Sequence, residues 1–102
     1  MAAVPSSARD IEAREQLESA FGDRVRASAA YTHAQNRIAE DFASLQRGAG
    51  PGPSDEDFDH LSALMTLSQN ADVRYLKLLG LMAARILQRV KEASLRLGAA
   101  GG

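Results

Sequence analysis

Apolar residues recur every three or four positions along two long stretches of the chain, and a short run of glycine and proline separates the two. That spacing belongs to helices with an apolar face. In the first stretch the face consists of Ile11, Leu17, Phe21, Val25, Tyr31, Ile38, Phe42 and Leu45, with Ser28 and Gln35 in the gaps, so it is narrow. Ala27, Ala29, Ala30 and Ala34 thicken its middle with strong helix formers that let a second helix come close. In the second stretch Phe58, Leu61, Met65, Tyr75, Leu79, Met82, Ile86, Val90, Ala93 and Leu97 line one face. Leu64, Leu67, Ala71, Leu78, Leu81 and Leu87 form another strip alongside it, and from Leu78 to Ala84 the helix is apolar on nearly every side. The narrow face of the first helix can cover only one of these strips. The other is expected to meet another protein.

Local signals set the boundaries. Residues 1–6 are small and uncharged and are expected to fray. Ser7 and Asp10 have capping-box spacing, and Asp10, Glu12, Glu15 and Glu18 suit the positive end of a helix dipole. The first helix is therefore expected over 7–47. Gly48, Gly50, Pro51, Gly52 and Pro53 make 48–53 a turn. Ser54 reads as an N-cap with Asp57 at the reciprocal position, opening a second helix over 54–97, with Gly98 as its stop and 98–102 as a mobile tail. The expected fold is all-α, an antiparallel hairpin of two helices, each roughly 55–65 Å long. Such a hairpin is expected to join a larger bundle or filament.

Charge sharpens this picture. The formal net charge is −1, without the basic excess a nucleic-acid binder needs. Residues 1–72 carry six Arg against twelve acids, while residues 73–102 carry six Lys or Arg against Glu92 alone. In an antiparallel hairpin the basic end of the second helix lies near the acidic start of the first. The absence of cysteine excludes disulfides and thiolate metal sites. Met1 to Ser7 lacks the charged and apolar regions of a secretory signal peptide, and the longest apolar run, broken by Arg85, is shorter than the roughly 20 residues of a membrane span.

Little in the chain suggests catalysis. His33 and His60 are the only histidines, and the hairpin places His60 near Phe42, away from His33. Asp55, Asp57 and Asp59 match the alternating acids that open a calcium loop, but His60 stands where that loop needs Gly and Thr66 where it needs Glu. Helix capping explains them better. The glycine-rich turn has no Gly-Lys-Ser/Thr and no preceding strand, so it is not a phosphate cradle. No catalytic, metal, cofactor or small-molecule site is expected.

Beyond the turn, Pro53-Ser54-Asp55, the amphipathic stretch after it and Leu67-Ser68-Gln69-Asn70 resemble the needle subunits of bacterial type III secretion systems. Ala84-Arg85-Ile86, Gln88 and Val90 resemble the inner-rod subunits of the same systems. Together these cover about the C-terminal half. The resemblance implies a structural subunit made in the cytoplasm, exported through the secretion apparatus to the envelope-spanning complex or cell surface, and polymerised with itself and other subunits. Leu78, Leu81, Met82, Ile86, Leu87 and Val90 are the expected contact residues, with Arg85 and Arg89 as orienting charges. A small cytosolic adaptor or secretion chaperone that holds a partner helix, and a homodimeric four-helix bundle, are the alternatives.

Overall fold

The computed structural model describes residues 7–101, and the side chains of residues 8–98. Two helices, α1 (Ser7–Gln46) and α2 (Asp55–Gly101), run antiparallel as a hairpin. At 1.5 Å per residue they are about 60 and 70 Å long. The rod measures 80 × 24 × 16 Å, and its radius of gyration is 23.1 Å. A compact chain of this length would have a radius near 13 Å. Very little of the chain is therefore deeply enclosed.

The turn is built from short-range chemistry. Gly48 has φ 70°, and the last turn of α1 closes with the Gly48 N–H donating to the Leu45 carbonyl at 3.0 Å and the Ala49 N–H to the Ser44 carbonyl at 2.8 Å. These two bonds make a Schellman motif, which requires a left-handed residue after the helix. Arg47 is its C-cap, so the helix ends one residue before the expected position. Gly52 also has positive φ, at 82°, and a Cβ there would lie 2.9 Å from Leu45 Cδ2. Nothing stands within 4 Å of a Cβ at Gly48. Gly48→Ala should therefore cost only left-handed strain, about 1–2 kcal/mol. Gly52→Ala adds a clash to the same strain and should lower the midpoint of thermal unfolding further; equal midpoints in circular dichroism melts would contradict this.

Ser54 caps α2. Its N–H donates to Asp57 Oδ2 at 2.9 Å, while the Asp57 N–H donates to Ser54 Oγ at 3.2 Å, a reciprocal capping box. The bond from the Ser54 N–H, then that from the Ser54 hydroxyl, holds the Asp57 carboxyl below its ordinary value, with smaller contributions from Arg37 and His60. At its far end α2 runs through Gly98 to Gly101, so the expected stop at Leu97 is overturned. A helical glycine costs only about 1 kcal/mol relative to Ala, and good helix formers, Ala99 and Ala100, follow with no proline. The expected fraying of residues 1–6 lies outside the described residues.

The seam between the helices differs from both expected apolar faces. In α1 the buried or half-buried positions include Asp10, Ala13, Leu17, Ala20, Arg24, Ala27, Tyr31, Ala34, Ile38 and Asp41, alternately three and four apart. In α2 they include Asp57, Leu61, Leu64, Ser68, Ala71, Tyr75, Leu78 and Met82, with the same alternation. Both helices thus follow a seven-residue repeat, as in a coiled coil. One of the two core positions of α1 holds alanine four times running, at 13, 20, 27 and 34. Small residues there let the helix axes approach, because side-chain size at the contact sets the separation. Among the described residues the buried apolar ones are accordingly few: Ala20, Ala34 and Ile38.

This seam corrects the sequence-based faces. Leu17, Tyr31 and Ile38 turn inward, but Ile11, Phe21, Val25, Phe42 and Leu45 of the expected α1 face remain roughly half exposed. Ala29 and Ala30 are exposed as well. In α2 the seam runs between the two expected strips, taking Leu61, Tyr75 and Met82 from one and Leu64, Ala71 and Leu78 from the other. Neither strip is wholly covered.

Candidate assembly interface

Cross-links between the helices fix which residues face outward. Phe21 meets Tyr75 with ring centroids 5.6 Å apart, and Phe42 meets Phe58 at 6.3 Å. Arg24 donates through Nε to Asp72 at 2.8 Å, and its guanidinium lies 5.1 Å above the Tyr75 ring. Asp23 accepts from Arg74 across the seam at 2.9 Å and from Arg26 on its own helix at 2.6 Å. Arg89 pairs with Asp10, and Arg85 approaches the same carboxylate at 3.9 Å. The basic end of α2 thus reaches the acidic start of α1. The pairs of Asp23 and Asp72 are substantially exposed, so each contributes about 0–1 kcal/mol and sets register more than stability, while Asp10 is 25% exposed beneath its two arginines.

The eight expected contact residues separate into three groups. Leu78 and Met82 are half-buried on the seam, so they act mainly inside the hairpin. Arg85 and Arg89 are committed to Asp10. Leu81, Ile86, Leu87 and Val90 remain open to solvent, each more than half exposed. With them stand Leu67, Val73, Leu76, Leu95 and Leu97, which extend the exposed apolar surface along almost the whole of α2. Lys91 and Arg96 take part in no ion pair among the described residues.

Two further features were not anticipated from the sequence. First, α2 continues past the described start of α1: Arg89 lies beside Asp10 and α1 begins three residues earlier at Ser7, so about nine residues of α2, about 14 Å of helix, extend beyond it. Second, the total accessible surface is 7709 Å² for a 10.9 kDa chain, where a compact monomer would expose roughly 5,600 Å². The difference exceeds the roughly 800 Å² that each partner contributes to a standard interface.

His33 and His60 are exposed, and no cluster of three or more His, Cys, Asp or Glu side chains able to hold a metal occurs among the described residues. No described helix is long and apolar enough to cross a membrane. What the arrangement offers is a stiff rod with an uncovered apolar surface, suited to binding other helices. No protein-family model, curated protein or solved structure matches the chain.

Proposed function

We propose that this chain is a non-enzymatic structural subunit that works by self-assembly through the outer surface of α2. The observation that supports this is the run of exposed leucine, isoleucine and valine from Leu67 to Leu97 on a helix that α1 covers along one edge only. A solitary rod would keep that surface in water at a cost of about 25 cal/mol per Å² of apolar area, which association recovers. The resemblance of the segments after the turn to needle and inner-rod subunits supplies the setting: a type III secretion apparatus, reached by export through the apparatus itself. In this reading Leu81, Ile86, Leu87 and Val90 make the subunit contacts, and the Arg85 and Arg89 pairs with Asp10 hold α2 in the register that presents them.

Light scattering over a wide concentration range, with circular dichroism on the same samples, tests the proposal. The mass of the wild-type protein should rise without a plateau as concentration increases. Leu87→Asp should return it to the monomer while leaving helicity largely intact, because Leu87 is 55% exposed and off the seam. A mass fixed at the dimer would favour a closed four-helix bundle. A lasting monomer would favour an adaptor that waits for a partner helix.

A further inference from the structure

The two broad faces of the rod are different, and the difference is systematic. Residues seven or a multiple of seven apart share a side of each helix in this repeat. The Phe42–Phe58 pair therefore marks one face, shared by Phe21 on α1 and by Met65, Leu79 and Ile86 on α2. Large side chains project from it, around one depression bordered by Phe21, Val25 and Ser28. The Asp23–Arg74 pair marks the opposite face, shared by Gln16 on α1 and by Leu67 and Leu81 on α2. Here the alanines of the seam leave two shallow depressions: one over Ala13, bordered by Leu81, Met82 and Arg85, and one over Ala20, Ala27 and Ala71, bordered by Leu67 and Arg74. Leu67 and Leu81, each 58% exposed, stand fourteen residues or about 21 Å apart. Met65 and Leu79 on the projecting face have the same spacing.

Charge is also divided, along the rod. The half nearest the turn, residues 27–72, carries two Arg against seven acids, a net of −5. The other half, residues 7–26 with 73–101, carries ten Lys or Arg against six acids, a net of +4. Two rods side by side in the same direction and register would set like charge against like. Placing the turn half of one beside the free half of the next sets opposite charges together, an attraction that acts within a Debye length of about 8 Å at physiological salt.

We infer that the occupant of the alanine-floored face is a second copy of this chain, which seats its projecting face there with its turn half beside the free half of the first. The inference rests on the self-assembly reading and makes the contact heterologous: each copy uses one face as knob and the other as socket. A two-fold pair joined through the projecting faces alone would leave Leu67, Leu81 and the two alanine-floored depressions uncovered. A heterologous contact covers both faces and leaves one of each free at the ends, which is the condition for open-ended growth.

Complementation between variants tests it. Leu81→Asp damages the socket and Ile86→Asp the knob; both sites are exposed, and circular dichroism checks that helicity is kept. Each variant alone should stay monomeric at concentrations where the wild type grows. Mixed in equal amounts, they should form a 1:1 pair of about twice the monomer mass and go no further, because one sound knob and one sound socket remain between them. Leu67→Asp with Leu79→Asp is an independent second pair should either first variant lose helix. A wild type that grows while the mixtures do not pair overturns the heterologous contact and leaves self-assembly standing. So does a Leu81→Asp variant that still dimerises. A wild type that remains monomeric overturns both.

Discussion

Ala20→Leu should destabilise the hairpin by about 1–3 kcal/mol, the usual cost of forcing extra carbons into a closed contact. Ala20 is the most enclosed residue described, at 1% exposure, and it sits in the seam with Ala13 and Ala27 one heptad away on either side. A leucine there must either part the helices locally, so that the layers above and below lose contact as well, or turn out of the seam into the shallow depression over Ala20, Ala27 and Ala71. In a domain with so few buried side chains this is a large share of the total. Chemical denaturation followed by circular dichroism, at a protein concentration where the variant and wild type have the same mass, measures it. Matching the concentration matters because association adds apparent stability by mass action. Ala20→Ser, which nearly preserves size, should cost less. If leucine were accepted without loss, the seam would not be set by small residues.

The second large effect concerns two isoleucines that periodicity alone places on one face. Ile38 is 9% exposed on the seam, whereas Ile11 is 56% exposed. Ile38→Ala should cost about 2–4 kcal/mol, combining lost burial with the gap left behind. Ile38→Val should cost about 0.5–1.5 kcal/mol. Ile11→Ala in the monomer should change stability by less than about 0.5 kcal/mol, as surface substitutions generally do. Denaturation midpoints for the three variants test the assignment, and an Ile11→Ala loss equal to that of Ile38→Ala would contradict the seam.

The contrast between these residues shows what the sequence could disclose. The turn and the start of α2 are legible because their causes are local: Gly48 and Gly52 accept positive φ, and Ser54 and Asp57 cap each other across three residues. The attraction between the ends was legible as a charge imbalance, although not the choice of Asp10 as the common partner of Arg85 and Arg89. The seam was hidden because hydrophobicity is a poor guide to it. Its seats hold Ala13, Arg24, Asp41, Ser68 and Ala71, while Phe21, Phe42, Leu81 and Ile86 stand outside. A periodicity search follows the bulky residues and so traces the outer surface. The informative signal was alanine recurring every seventh position at 13, 20, 27 and 34. Gly98 misled for a different reason: a glycine ends a helix only when the chain after it turns away, and here two alanines carry the helix onward.

The alanine seam also bears on how the subunit comes apart. The heat-capacity increment of unfolding comes largely from newly hydrated hydrocarbon. A hairpin with alanine in one of the two core positions of α1, and with most of its leucines already wet, has less new hydrocarbon to hydrate when it opens than a compact domain of the same length. Its stability curve should therefore be shallow in temperature. Separation of the two helices can proceed from the open end of the rod toward the glycine turn like a zip, each seven-residue layer giving way with modest work and no large core resisting the pull.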